Sequence, residues 1–330
     1  MKILVFEYIS GGGRNRNELP DSLAREGLLM LNSLLEGLAK IPEVDITVML
    51  DARLMHELDS SPNQIALIGP QDDCFSRFER LAKQHDAVWP IAPEFDSILF
   101  TLCRTVEQLG KTLLVSGSDA VRLAGDKYRT FQCLIREQIP TVSTRMLNNS
   151  SVFSEECVIK PVDGVGGEDS YRICDADDFE RIVESLHGTG KYIVQPHLYG
   201  EKTSLSCLFK NGRSWLLSVN LQEFDIVNGQ YRLAAIQVNC RTDLSPYRNL
   251  AASIAKAIPG LWGYAGIDLI ETPERVLVLE VNPRLTSSFV GLNAALGINA
   301  AALVLQLLHG DPIIQYRANK SATVQVKWKI

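Results

Sequence analysis

Gly266-Ile267-Asp268-Leu269-Ile270 and Leu279-Glu280-Val281-Asn282-Pro283-Arg284 are the two stretches whose reading decides the fold. Asp268 interrupts an apolar run, and Glu280 directly follows Val276-Leu277-Val278-Leu279. Short apolar runs of this kind read as buried strands. A carboxylate in such surroundings is costly unless it is paired, hydrogen-bonded or bound to metal. Two strands that bring Asp268, Glu280 and Asn282 together would build a hard, oxygen-rich site suited to Mg2+ held against phosphate. The pair points to a nucleotide-using enzyme.

The segments around this pair are strand-rich. Residues 203–209 and 214–219 flank Lys210-Asn211-Gly212-Arg213, whose Asn-Gly is a hairpin signal. Residues 231–238 join the same antiparallel pattern, 247–258 read as a helix, 290–308 as one long apolar helix, and 323–328 as a terminal strand. Upstream, 126–138 is helical and stops before Pro140, while Cys157-Val158-Ile159-Lys160 runs as a strand into Asp163-Gly164-Val165-Gly166-Gly167. With extended segments at 171–173 and 191–195 around a helix at 175–186, this middle part resolves into a small α+β lobe. The first 117 residues alternate strand and helix, which implies a mostly parallel sheet with ligand loops at the carboxyl ends of its strands. The leucines at 28, 31, 35 and 38 mark one face of a helix over 21–40; Gly27 and Gly37 lower its propensity, so packing must hold it. The expected fold class is thus α/β and α+β, multidomain, divided at 1–117, 118–195 and 196–330.

Composition narrows the function. Of 330 residues, 46% are hydrophobic and 22% charged, an ordinary globular balance. The formal charge of -6 offers no basic stripe, so nucleic acid is not an expected partner. Seven scattered cysteines without a CxxC read as free thiols in a reducing compartment. Met1 to Phe6 is a strand rather than a signal peptide, and no apolar span reaches the roughly 18 residues of a membrane helix. A cytoplasmic protein with no membrane partner is the expectation, with a homodimer left open. The five histidines lack HExxH and no GxSxG occurs, which argues against catalytic zinc and against a serine elbow.

Other candidates carry two readings each. Lys160, at a strand end before the glycine loop, can reach phosphate while Gly164, Gly166 and Gly167 let backbone N–H groups approach; a surface turn is the plain alternative. Lys127 alone reads as a surface lysine. Gly11-Gly12-Gly13-Arg14, after the first strand, is either a ligand approach or a flexible turn. Arg241 is a phosphate or carboxylate clamp, or a surface arginine. Ser287 and Ser288, beside Arg284, bind a substrate carboxylate or cap the following helix.

Taken in order, Asp126-Lys127, Val158-Ile159-Lys160-Pro161, the Gly164–Gly167 loop, Ile193-Val194-Gln195-Pro196-His197, Gly266-Ile267-Asp268 and Leu279 to Arg284 resemble the ATP-grasp family over roughly residues 118–310. The resemblance implies a pre-ATP-grasp α/β domain over 1–117, a small grasp lobe over 118–195 and a large lobe with the Mg site over 196–330. It implies ATP as cofactor, with Lys127 and Lys160 on its phosphates and the loop from Asp163 to Glu168 closing over them. Gln195, Pro196, His197 and Leu198 would form the hinge beside adenine, although many members carry glutamate where this chain has Gln195. Glu201 or the adjacent Lys202 would meet the ribose. Asp268, Glu280 and Asn282 would hold one or two Mg2+ ions, with Mn2+ as a substitute. Lys160, Arg241 and Arg284 would be catalytic, and Arg284 with Ser287 would bind an acceptor carboxylate.

The start, Phe6-Glu7-Tyr8-Ile9-Ser10-Gly11-Gly12-Gly13, and the overall length further resemble the tyramine–glutamate ligases of methanofuran biosynthesis. That implies L-glutamate and tyramine or a related amine as substrates, selected by the first domain through Ser10, Gly11, Gly12, Gly13 and Arg14 and the loop after Val115. The implied activity is an ATP-dependent carbon–nitrogen ligation through an acyl phosphate, releasing ADP and phosphate. Ligation of other amino acids or peptides, a small-molecule kinase, and a non-catalytic nucleotide-binding regulator are the alternatives.

Overall fold

Strand β1 (Lys2–Glu7) is sealed from solvent from Ile3 to Phe6. An uninterrupted apolar run suits a strand covered on both faces, as in a parallel sheet. The computed structural model, which describes residues 1–148, 151–167, 169–186, 191–227 and 229–326, contains that sheet. Here β1 lies between β2 (Asp45–Asp51) and β4 (Ala87–Ile91), with β3 (Gln64–Ile68) and β5 (Thr112–Leu113) outside them. Helices α1 (Asp21–Ala39), α2 (Cys74–Lys83) and α3 (Ile98–Gln108) connect the strands. The order β3-β2-β1-β4-β5 changes direction between β1 and β4. Open α/β sheets leave a crevice beyond the carboxyl ends of the strands at such a switch.

The turn after β1 corrects one expectation. Residues Ile9–Gly13 form a tight helical turn with Gly11 and Gly12 buried, not a flexible one. A Cβ on Gly11 would come within 2.7 Å of the Phe6 ring, and one on Gly12, where φ is +95°, within 2.6 Å of Ile68. Packing against the sheet requires these glycines.

Helices α4 (Ser118–Ala124) and α5 (Lys127–Arg136) follow. The first is not announced by the sequence pattern; the second is capped by Asp126, whose carboxylate accepts from the Arg129 N–H at 2.9 Å. Their Ala120, Ala124, Cys133 and Leu134 share a core with Leu205, Phe209, Ile267 and Val278. By packing, both helices go with the large antiparallel sheet and not with the small lobe.

The small lobe consists of β6 (Arg145–Met146), β7 (Cys157–Pro161), β8 (Tyr171–Ile173) and β9 (Tyr192–Pro196), with helix α6 (Ala176–Ser185) packing Phe179 and Ile182 onto Ile159, Ile173 and Val194. The large lobe comprises β10 (Glu201–Lys210), β11 (Arg213–Val227), β12 (Gln230–Val238), helix α7 (Ser245–Ala257), β13 (Gly263–Glu271) and β14 (Val276–Asn282). The Asn-Gly turn behaves as expected: Asn211 and Gly212 both take positive φ, 50° and 72°, as a two-residue hairpin requires. Among the described residues, strand pairing between the lobes is a single register pair, Gln230 with Tyr171.

The expected long helix over 290–308 is broken. A 3-10 turn at Ser287–Gly291 leads into α8 (Leu292–Leu296), and α9 (Ala300–Gln306) leaves at 101° to it. Gly297, at φ +64°, ends α8 in a left-handed cap, and Asn299 caps α9 by accepting from the Ala302 N–H at 3.1 Å. The bend lets Leu292, Leu296, Leu303 and Val304 all enter the core beside α1. No single helix among the described residues is long and apolar enough to cross a membrane. Strand β15 (Ala322–Gln325) pairs with β12; residues 327 and 328 of the expected strand lie outside the described residues.

Candidate active site

The antiparallel register of β13 and β14 sets Asp268 directly opposite Glu280, and Gly266 opposite Asn282. Like charges facing each other across a strand pair are unfavourable unless something compensates. Asp268 accepts hydrogen bonds from the Gln222 and Asn282 amides, each at 3.0 Å. Glu280 faces the Lys127 ammonium at 3.2 Å. Lys127 sits in the first turn of α5, buried, and also donates to the carbonyl of Gly164, which joins α5 to the glycine loop. Burial raises the Asp268 carboxyl, and the facing Glu280 adds to the rise. Burial acts in the same sense on Glu280, but the ammonium groups of Lys127 and Lys160 outweigh it and hold that carboxyl low. Lys160 reaches the same place from β7, and burial pushes its ammonium down to about 8 against the attraction of Glu280.

These groups line a cavity of about 650 Å³ between the small lobe, the large lobe and the first domain. Its deep end is an apolar slot of Val142, Val158, Leu198, Ile270 and Leu279. Gln195 to Leu198 run along this slot. The buried Gln195 amide donates to the Thr144 hydroxyl at 2.9 Å, and the His197 N–H donates to the Glu156 carbonyl at 2.8 Å. Gly164, Gly166 and Gly167 form the opposite lip, the last two at φ of 63° and 80°. An apolar slot beside clustered lysines and carboxylates is a lining able to take a nucleotide.

A sequence model of the ATP-grasp domain matches residues 124–288, half of the chain, and one of a pre-ATP-grasp domain matches residues 44–121. The chain belongs to the ATP-grasp family. Membership carries the coarse function, ATP-dependent ligation. Among relatives, the tyramine–L-glutamate ligase of Methanocaldococcus jannaschii is 27% identical over 88% of this chain and 84% of its own length. A putative ATP-grasp superfamily protein from Archaeoglobus fulgidus shares the fold with a TM-score of 0.73 at 24% identity, over 98% of this chain and 92% of that one. The biotin carboxylase domain of the Hydrogenobacter thermophilus 2-oxoglutarate carboxylase, solved as a dimer with ADP and magnesium, has a TM-score of 0.71 at 14% identity, over 97% of this chain and 71% of that one.

The ATP-grasp cavity gathers Lys127, Lys160, Gly164, Gly166, Gly167, Gln195, Pro196, His197, Leu198, Asp268, Glu280, Asn282, Arg284 and Ser287 from the expected set. It leaves out others, each for a physical reason. Glu201 and Thr203 point away from the cavity because strand residues alternate, so Lys202 and Ser204 face it instead. Glu201 is engaged by Arg241, which also meets Glu271 at 3.4 Å, so Arg241 is spent on an ion-pair network outside the cavity. Gly11, Gly12 and Gly13 are packed inward. Arg14 donates to the Glu18 carbonyl and does not line the cavity. Glu168 lies outside the described residues.

Arg284 and Ser287 do line the cavity, but each is already held by the first domain. Arg284 forms a two-pronged ion pair with Glu94, both bonds 2.9 Å, and the Ser287 hydroxyl donates to Glu26. Glu7, Glu26, Glu94 and Gln222 were not singled out by sequence. The one available signal was Gly27, a glycine inside a helix that sits beside Glu7.

The residues fit a divalent hard cation. Two facing carboxylates with an amide group nearby form an oxygen-rich donor set of the kind a hard cation takes. Among the described residues no three His, Cys, Asp or Glu side chains cluster as a metal cage. That suits Mg2+, which commonly takes one or two carboxylates and completes its shell with phosphate and water.

Proposed function

We propose that this protein is an ATP-dependent carboxylate–amine ligase that joins L-glutamate to tyramine or a closely related primary amine. The observation that carries the reading is one cavity in which Lys127, Lys160, Asp268, Glu280 and Asn282 converge and which then extends to the first domain. Similarity to the M. jannaschii tyramine–L-glutamate ligase over most of both chains supports the substrate pair and a place in methanofuran-type biosynthesis.

A carboxylate is a poor electrophile, so its oxygen first attacks the γ-phosphorus of ATP. The P–O bond to ADP breaks, and an acyl phosphate forms. The amine, having given up its ammonium proton to solvent, attacks the acyl carbon through the nitrogen lone pair; the C–O bond breaks, phosphate leaves with the bonding pair, and the N–H proton lost on forming the amide passes to that phosphate. Mg2+ held by Asp268, Glu280 and Asn282, as one or two ions or with Mn2+ in their place, would supply Lewis-acid stabilisation of the phosphate oxygens. Lys127 and Lys160 neutralise charge on the β- and γ-phosphates, and their low-dielectric surroundings strengthen that attraction. Gly166 and Gly167, free of side chains, let the loop approach the phosphates and keep water from the acyl phosphate.

The test uses the purified full chain with ATP, Mg2+, L-glutamate and a panel of amines, measuring ADP and product mass together. ADP release that depends on both glutamate and tyramine, with a γ-linked or α-linked amide of matching mass, is the expected result. ADP release that is independent of any amine identifies a kinase instead.

A further inference from the structure

Beyond Asn282 the cavity continues under the first domain, and its wall there is chemically different. Helix α1 turns Ser22, Leu23, Glu26, Gly27 and Met30 toward it, a set spaced to share one helical face. Its other face, with Leu28, Leu31, Leu35 and Leu38, is in the core. Across from α1 stand Glu7 and Ile91, the last residues of β1 and β4, and then Phe95. This is the switch point of the parallel sheet, the place where such sheets take ligands.

The charges in this arm are one-sided. Its buried cation is Arg284, whose guanidinium fork Glu94 already fills and which Glu26 also attracts. Glu26 receives the Ser287 hydroxyl, and Glu7 receives the Ser10 hydroxyl and N–H, each at 2.6 Å. Among the described residues no lysine, arginine or histidine forms an ion pair with Glu7 or Glu26. Burial raises the Glu7 carboxyl, as expected for an acid without a counter-charge. The chain also leaves room for Glu7 at some cost to helix propensity: a Cβ on Gly27 would lie 2.4 Å from its carboxylate, and glycine within a helix is less favourable than alanine. Two carboxylates with no ion-pair partner in contact, in an arm walled by Leu23, Met30, Ile91 and Phe95, complement an ammonium group on an apolar body and repel a second carboxylate.

We propose that this arm is the amine subsite, with Glu26 as the residue that selects a protonated primary amine of apolar or aromatic body and Glu7 in support. The inference rests on the ligase reading above and assigns one end of its cavity. Arg284, filled by Glu94, then orders the subsite wall and does not read the acceptor carboxylate.

The experiment measures binding to the full chain in the presence of MgADP. Tyramine is expected to bind at least about tenfold more tightly than 3-(4-hydroxyphenyl)propionate, which carries the same phenol ring with a carboxylate in place of the ammonium. Glu26→Gln is expected to weaken tyramine by about tenfold or more, and Glu26→Lys to reverse the preference. Equal or tighter binding of the acid, no binding of tyramine to the unaltered protein, or an unchanged tyramine affinity in folded Glu26→Gln each overturns the assignment. The comparison of the two phenols on the unaltered protein decides even where a variant does not fold. Formation of a glutamyl hydroxamate from ATP, L-glutamate and hydroxylamine, which is largely uncharged at neutral pH, tests the ligase reading separately. Hydroxamate without amine selectivity refutes the subsite alone; amine selectivity without hydroxamate refutes the ligase alone.

Discussion

Asp268 and Glu280 face each other on adjacent strands, yet their carboxyls move in opposite directions, because Glu280 meets both lysines. Losing the charge on Glu280 would leave Lys127 and Lys160 uncompensated and halve the carboxylates offered to a metal. Glu280→Gln is therefore expected to slow turnover about 100-fold or more, roughly 3 kcal/mol, read as steady-state ADP release at saturating Mg2+. An unchanged rate would remove Glu280 from the site. Glu7 provides a pH test. Burial holds its carboxyl above the ordinary 4.5, so the unfolded chain ionises first and the contribution of Glu7 to stability declines as pH rises from 4.5 through the raised value. Glu7→Gln lacks that decline. The melting temperature of the variant relative to the unaltered protein should thus climb from pH 4.5 towards neutrality; a difference that does not change with pH contradicts the assignment. At this scale, Lys160, Asp268 and Glu280 were legible because each interrupts an apolar strand or abuts a glycine loop. Arg14 and Arg241 do not line the cavity, and a lone arginine in a polar stretch carries no context that would place it either way.

At the scale of elements, strand alternation decides what faces the cavity. Glu201 and Lys202 were indistinguishable by sequence, and the register of β10 against β13 puts Lys202 on the cavity side. The hinge before β10 is similarly constrained. A Cβ on Gly200 would come within 2.3 Å of the Glu271 carbonyl oxygen, which is backbone and cannot rotate away. Gly200→Ala is expected to destabilise the protein by about 1–3 kcal/mol, seen as a lower thermal midpoint, and to loosen ATP binding with it. A midpoint equal to that of the unaltered protein would show that the hinge yields freely. The apolar run over 290–308 was read as one helix because its composition is continuous. Gly297 and Asn299 were visible in it, but only the need to pack α8 and α9 against the same core makes them a corner.

For the whole molecule, the contacts between the first domain and the large lobe determine the shape of the cavity. Arg284 and Glu94 are separated by 190 residues and are 12% and 6% exposed, so their pairing depends on domain packing. Removing either partner leaves a buried charge, at a cost of about 3–5 kcal/mol. Arg284→Met and Glu94→Gln are each expected to lower the thermal midpoint, and the double variant to fall by clearly less than the sum; additive losses would mean that the pair is not coupled. The Asn299 amide donates to the Gly37 carbonyl at 2.8 Å and fastens α1 to α9 in the same interface. The strand-helix alternation, the hairpin at Asn211-Gly212 and the prominence of Lys160, Asp268, Glu280 and Asn282, which line one cavity, are readable from the sequence alone, because periodicity, turn chemistry and misplaced charge are local signals. Only the tertiary structure decided which face of β10 meets the cavity, that Arg241 and Arg284 are already paired, and that Glu7 and Glu26 close the far arm. Those outcomes depend on contacts between distant segments, and a carboxylate in a helix or at a strand end looks the same in sequence whether it meets solvent or a substrate.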